Sequence, residues 1–417
     1  MNDYSRPAIA LVVPSLYQGG GVPAVARFVK DAILSSDQFD LRLVSLAMSS
    51  RDAASVNVSQ PKSWFRGVTT TTSGEWEGLP YIHVGAIGGE LEFQRLQPRK
   101  ALTRALAGCD IIQVVCGSPA WANAVCGLGK PVALQCATRA LVERKIRDSE
   151  LKGIGGWWRK KMTAATDRLD DKALQSVDAI QVENPWMFEY AQKINGGRNV
   201  DLRYAPPGVD IGIFHPLTAR VPDSDPYILC VARMNDKRKN IGLLLDAYSR
   251  LPQSLIDRVR LVLAGSAAPP DQFWNRVEGL GLKHQVSFLE RPSSQELVSL
   301  YQKASVFALS SDEEGLGVVL LEAMACGTPV VSTRSGGPDG IIADGKDGFL
   351  VALDDASQMA NRLQILLTNN DLNLKMGLEA RKTVELRYCS KITGAVFVDM
   401  WNRLLEPSKQ RSVVGSV

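Results

Sequence analysis

The sequence predicts two doubly wound α/β domains, each a parallel β-sheet flanked by helices. Three observations predict it. The chain has 417 residues, more than one ordinary core holds, so two domains of comparable size are expected. Short apolar runs alternate with helical patterns, most cleanly in the second half. Such alternation means a parallel sheet with right-handed crossovers, whose ligands bind at the carboxyl ends of the strands. Hydrophobic residues make up 45% and charged residues 22% of the chain, which excludes a fibrous or wholly disordered protein.

The net charge of +4 is modest. No segment interleaves basic with aromatic residues as stacking on bases requires, so no nucleic-acid partner is expected. Cys109, Cys116, Cys126, Cys136, Cys230, Cys326 and Cys389 show no paired metal-ligand spacing, and most lie in apolar segments; reduced core thiols follow. The apolar run at the N-terminus ends at Pro14, and the uncharged stretch after it is broken by Gln18, three glycines and Pro23. No signal peptide or membrane span is read there, and a cytoplasmic protein is the expectation.

Ile9 to Val13 reads as a strand, Gly19, Gly20 and Gly21 as a loop, and the periodic run to Leu34 as a helix. The glycines lack the spacing of a dinucleotide fingerprint, and no acidic ribose ligand stands out downstream. Strands follow near Leu41 to Leu46, Val68 to Thr72, Tyr81 to Val84, Ile111 to Val115 and Val132 to Gln135, with helices near Glu92 to Ala107 and Ser118 to Leu128. Residues 49–66 and the stretch Gly74 to Gly78 read as loop. Residues 139–175 are basic and helical, and Trp157, Trp158, Arg159, Lys160 and Lys161 form a cluster within them. That cluster suits an anionic bilayer surface; the other reading is a solvated helix face whose tryptophans pack into the domain. Asp178 to Val182 is a further strand, and the proline- and aspartate-rich stretch Leu217 to Pro226 is the expected interdomain connection. Within it Asp223-Ser224-Asp225 mimics a metal motif, but a proline-flanked linker is a poor place for a rigid ligand pair.

In the second half, strands at Tyr227 to Val231, Arg260 to Ala264, Val286 to Leu289, Val306 to Leu309 and Pro329 to Ser332 alternate with helices near 240–251, 271–280, 294–303 and 318–326. Gly348 to Val351 and a helix from Ala356 to Leu367 complete it, and Ile392 to Leu405 is amphipathic with Phe397 and Trp401 at helical spacing. Residues 406–417 read as a tail.

The chain is organised around Ser310 to Val331. An apolar strand runs into a polar loop ending in Gly315 and Gly317, a helix follows from Val318 to Ala325, and Gly327-Thr328-Pro329 stops it. A helix N-terminus at the carboxyl edge of a parallel sheet presents unpaired N–H groups to a phosphate. Glu314 precedes that helix and Glu322 lies two turns into it, so one reaches a ligand from the loop and the other flanks it along the helix.

Glu-Gly-x-Gly, then four residues, then Glu-Ala-Met-Ala-x-Gly-x-Pro-Val-Val resembles the Glu-x7-Glu signature of retaining nucleotide-sugar glycosyltransferases of the GT-B fold, family 4 in particular. The seven-residue gap selects Glu314 over Glu313. The resemblance implies two Rossmann-like domains facing a cleft. These are residues 1–210, completed by a C-terminal helix at about 388–410, and residues 226–387, which bind the nucleotide sugar. Gly208-Val209-Asp210 with Phe214-His215-Pro216 resembles the family's linker. By the same resemblance Glu314 binds hydroxyls of the donor sugar, and Glu322 binds the nucleotide ribose. Gly315, Leu316, Gly317 and Val318 belong to the donor site, Arg291 lies in the loop that contacts the base, and Gly19, Gly20 and Gly21 face the donor diphosphate. The family pairs an arginine and a lysine on that diphosphate, whose bridging oxygen becomes an anionic leaving group. Arg233 matches the arginine; counting back from Ile241 selects Lys239 as the lysine, while counting forward from Arg233 lands on Arg238.

Many relatives carry a histidine after the strand that here ends at Gln135, but this chain reads Cys136-Ala137-Thr138-Arg139, which leaves Thr138 or Arg139 to shape the site. The implied function is retaining transfer of a hexose from a UDP- or GDP-linked donor to a hydroxyl of a glycan or lipid-linked acceptor, in cell-surface polysaccharide or lipopolysaccharide assembly. Neither a metal nor another cofactor is expected, and the enzyme would work in the cytoplasm or at the inner face of the membrane. The alternative is a catalytically idle GT-B subunit that binds nucleotide sugar or a partner protein. A GT-B epimerase would keep the fold but should lack the run through Glu314 and Glu322.

Overall fold

The computed structural model describes residues 6–14, 16, 21–57, 59–87, 91–217 and 225–406. Contacts divide the chain into two units, residues 1–207 with 394–417, and residues 208–393.

The first unit is built on eight strands: β1 (Ala8–Pro14), β2 (Asp40–Leu46), β3 (Thr70–Trp76), β4 (Leu79–Val84), β5 (Ile111–Cys116), β6 (Val132–Cys136), β7 (Ala179–Val182) and β8 (Asp201–Tyr204). Their order is β3-β4-β2-β1-β5-β6-β7-β8, and every pairing is parallel except β3 with β4. The central strands are buried along their whole length, as β5 is, because helices cover both faces of a parallel sheet. Helix Ser390–Leu405 joins this unit, with Phe397 edge-on to Phe28 at 5.3 Å and Trp401 donating from Nε1 to Gln113 Oε1 at 2.8 Å.

Four local expectations change. The stretch Gly74 to Gly78 is not loop: β3 continues to Trp76, and a two-residue turn returns it to β4. Glu77 and Gly78 both take positive φ, 52° and 74°, the geometry that matches the twist of a tight hairpin. The single helix expected over Glu92 to Ala107 is two, Glu92–Arg95 and Lys100–Ala105, separated at Pro98, which has no N–H to donate and restricts the residue before it. Within Ser118 to Leu128 only Pro119–Ala124 coils, as a wholly buried 3₁₀ turn, and residues 49–66 include a short helix, Pro61–Arg66.

Helix Gly153–Leu174 carries the tryptophan cluster. Ile154, Trp157 and Trp158 are 87%, 58% and 50% exposed, so the tryptophans do not pack into the core. With Lys161 they occupy positions i, i+3, i+4 and i+7, one stripe of the helix, and Lys152, Arg159 and Lys160 are exposed around it. Among the described residues no helix is long and apolar enough to cross a membrane.

The second unit holds β9 (Tyr227–Val231), β10 (Arg260–Gly265), β11 (Val286–Glu290), β12 (Val306–Leu309), β13 (Val330–Thr333) and β14 (Phe349–Val351). Their order is β11-β10-β9-β12-β13-β14, all parallel. Helices Ile241–Ser249, Asp271–Gly279, Ser294–Lys303 and Val318–Ala325 make the crossovers. The observed alternation is the one read from the sequence, since short apolar strands such as β9 and β12, buried along their whole length, leave little ambiguity of period.

Candidate active site

The chain leaves β9 toward β10 on one side, and β12 takes the other side of β9. Connections that depart in opposite directions open a crevice outside the carboxyl ends of the two strands, where α/β sheets bind ligands. The segments at that crevice are 232–240, after β9, and 310–317, after β12. They are the two loops that carry the sequence signals.

Segment 232–240 is held by its own carboxylate. Asp236 accepts from the Arg238 amide at 3.1 Å and from Arg238 Nη2 at 2.8 Å, while Arg233 Nη2 donates to the same carboxylate at 3.0 Å. Burial pushes Asp236 up, but the Arg238 hydrogen bonds and the charges of Arg238 and Arg233 outweigh it and hold the carboxyl below its ordinary value. Arg238 Nη1 also reaches Glu313 at 2.9 Å, so this guanidinium bridges carboxylates of both loops. Asn240, at φ 40°, caps the following helix by accepting from Leu243 N and donates to Asp312 at 2.7 Å.

Lys239 does something different. Its Nζ donates to Glu314 Oε1 at 2.6 Å, with the two side chains only 16% and 10% exposed. Ser311, wholly buried, donates its hydroxyl to the same oxygen at 2.6 Å. The backbone of this loop is pinned from the segment after β13: Glu314 N donates to Ser335 O, Gly337 N to Glu314 O, and a Cβ on Gly337 would lie 2.4 Å from Leu316 O. Gly317 caps helix Val318–Ala325 at φ 87°, a left-handed conformation that glycine adopts without steric cost, so Gly315 to Val318 deliver the chain into the helix start. Glu322, on that helix, accepts from the Tyr301 hydroxyl at 2.7 Å.

The structure thus brings Arg233, Lys239, Glu314 and the start of helix Val318–Ala325 to one crevice, with Glu322 on the same helix. Arg291 follows β11, two strands from β9, with φ 47°; its amide donates to Gly265 O, Nε reaches Ser266 O at 3.4 Å, and the side chain is largely exposed. Gly19 and Gly20 lie outside the described residues, and Gly21 opens helix Gly21–Ser36 in the first unit.

In the first unit Arg139 does not point to a site. It pairs with Asp167 at 2.6 Å and Asp171 at 3.2 Å and stacks on the Tyr190 ring at 3.9 Å, which ties it to the helix behind. Thr138 is buried, and its hydroxyl has no hydrogen-bond partner among the described residues. Beside it, at the carboxyl ends of β6 and β7, Gln135 Nε2 donates to Glu183 at 3.1 Å, and burial pushes the Glu183 carboxyl up to about 7.

Sequence reasoning missed Ser311, Asp236, Tyr301 and Glu183. Ser311 lay three residues from Glu314 within the organising loop, and Asp236 two from Arg238, so both were within reach of a local search. Tyr301 meets Glu322 from another helix and left no local signal.

Residues 218–383 match the family model described as glycosyl transferases group 1. The D-inositol 3-phosphate glycosyltransferase of Corynebacterium urealyticum is 34% identical over 214 residues, 48% of this chain and 50% of that protein. The putative glycosyltransferase EpsD of Bacillus subtilis is 33% identical over 190 residues, 45% of this chain and 49% of its own length. The chain spans about half the length of these curated relatives. Two solved structures are similar over nearly all of it: sucrose-phosphate synthase from Thermosynechococcus elongatus, with TM-score 0.70 and 19% identity over 96% of this chain and 99% of that one, and Anabaena HepE in complex with UDP and glucose, with TM-score 0.68 and 15% identity over 94% and 99%. These likenesses show the fold, and it is of the GT-B class.

Proposed function

We propose, from the match of residues 218–383 to the glycosyl transferases group 1 model, that this chain is a glycosyltransferase that moves a hexose from a nucleoside-diphosphate sugar, UDP- or GDP-linked, to a hydroxyl of a glycan or lipid-linked acceptor, with retention at the anomeric carbon. The observation that carries this reading is the 2.6 Å contact between Lys239 and Glu314 at the sheet's switch point, with Arg233 on the same loop. Lys239 and Arg233 supply the cations for a diphosphate, and Glu314 supplies a carboxylate for the hydroxyls of the sugar beyond it. HepE, whose structure holds UDP and glucose, has the same fold and supports a nucleotide sugar as the donor class.

As the anomeric carbon–oxygen bond breaks, its electron pair goes to the leaving diphosphate oxygen, where Arg233 and Lys239 meet the growing charge. The acceptor oxygen bonds to the same face of the anomeric carbon and gives its proton to a phosphate oxygen. No nucleophilic carboxylate is required on the opposite face, unlike in retaining glycoside hydrolases. With two side-chain cations on the diphosphate, the reaction proceeds without a metal.

The exposed stripe of Ile154, Trp157 and Trp158 with its basic surround supports seating on an anionic bilayer, and hence work at the inner face of a membrane on a lipid-linked acceptor for cell-surface polysaccharide. The test of the reading is release of nucleoside diphosphate from a panel of UDP- and GDP-sugars, with and without excess chelator. Turnover of one donor, kept in chelator, is expected; inertness toward every donor despite nucleotide binding would leave an idle binding subunit.

A further inference from the structure

We infer that Tyr301 is a positioning residue for the nucleotide's ribose: its hydroxyl fixes the Glu322 carboxylate in the orientation that receives the ribose hydroxyls. This rests on the reading of Glu322 as a nucleotide-sugar ligand.

Tyr301 lies near the end of helix Ser294–Lys303, which precedes β12, whereas Glu322 lies on the helix that follows it. The tyrosine is fully buried and donates to Glu322 Oε2 at 2.7 Å, a charge-assisted bond of the strong kind. Burial first, then the neighbouring Glu322 charge, pushes its hydroxyl well above the usual range, so it remains a neutral donor at any working pH. The ring is fixed in turn. Phe307 packs on it at 5.7 Å and Phe214 meets it edge-on at 6.0 Å, while Thr328 donates to the Tyr301 carbonyl at 2.6 Å.

A glutamate on a helix has three rotatable side-chain bonds, so a fixed donor narrows the carboxylate planes open to it. A carboxylate has about four acceptor sites, and a rigid donor at one of them sets the plane in which the others lie. Two ribose hydroxyls need that plane fixed before they bind, or binding must supply the ordering. A hydroxyl anchored in the domain core meets this need, which a solvent-facing partner would not.

The experiment is calorimetric titration of wild type, Y301F, E322Q and Y301F/E322Q with UDP, GDP and their 2′-deoxy and 3′-deoxy forms, beside donor kinetics and Tm. Phe keeps the ring and its aromatic contacts, so Y301F is expected to fold. Wild type should prefer a ribonucleotide to its deoxy forms. Y301F should bind that ribonucleotide on the order of 10-fold more weakly and lose most of the preference, with donor KM rising more than kcat falls. The double variant should add little to E322Q, because the hydroxyl acts through the carboxylate. A Y301F protein that keeps the wild-type ribose preference, or a loss that adds in full to that of E322Q, would overturn the inference while leaving the enzyme reading intact. Wild type that binds none of these nucleotides would overturn the enzyme reading itself.

Discussion

Lys239 Nζ and Glu314 Oε1 stand 2.6 Å apart, one on the segment after β9 and the other on the segment after β12. Arg238, the sequence neighbour of Lys239, reaches Asp236 and Glu313. Arg238 braces the two loops, and Lys239 stands against the carboxylate proposed to hold the sugar.

Ser311 should matter to activity beyond its size. Its hydroxyl shares Glu314 Oε1 with Lys239, and it is wholly buried. Replacing it by alanine removes one hydrogen bond to a charged group, worth about 1.5–3 kcal/mol. S311A is expected to lower kcat/KM by roughly 10-fold or more, with a smaller change in Tm. Kinetics equal to wild type would show that Glu314 is held without it.

Glu183 sets a pH dependence of stability. Burial raises its folded value from 4.5 to about 7, so between those values the folded protein keeps a proton that the unfolded chain has released. Stability is therefore present in full below pH 4.5 and is lost as pH rises through about 7, by roughly 3 kcal/mol for this group. Asp170, raised to about 6, adds a loss of the same sign. E183Q removes only the first contribution. Its Tm advantage over wild type should grow as pH rises and level off above about 7; an advantage independent of pH would show that Glu183 does not titrate in this range.

The tryptophan stripe predicts salt-sensitive binding to vesicles of anionic lipid, because the basic side chains around it act over about 10 Å at 0.1 M salt. W157A/W158A should sediment with such vesicles far less than wild type, with an unchanged Tm, since both rings are half exposed already. Equal sedimentation of the two proteins would exclude this face as a membrane contact.

The second domain was legible almost element by element. Its strands are short and apolar, β9, β12, β13 and β14 are buried along their whole length, and glycine or proline closes helices Asp271–Gly279 and Val318–Ala325, so period and punctuation agree. Gly327 and Pro329 after helix Val318–Ala325 are the clearest case. The first domain was less legible where geometry overrides composition. A polar Glu77-Gly78 turn carried a strand, not a loop, and Pro98 divided a run whose hydrophobic spacing read as one helix. In the site, the residues proposed to touch a ligand were named from the sequence because they sit in a contiguous pattern. Tyr301, which holds Glu322 across helices, and the brace that Arg238 makes across loops were not, since a contact between distant segments leaves no mark at either end.

The most direct measurement is initial rate against donor concentration for K239A and R238A, with direct nucleotide binding and Tm for each. If Lys239 meets charge that grows as the glycosidic bond breaks, K239A should lose on the order of 100- to 1000-fold in kcat while nucleotide binding weakens far less. R238A should lose chiefly Tm, as the brace between Asp236 and Glu313 is removed. A crippled kcat in R238A beside near-normal turnover in K239A would contradict the account and move the diphosphate contact to Arg238.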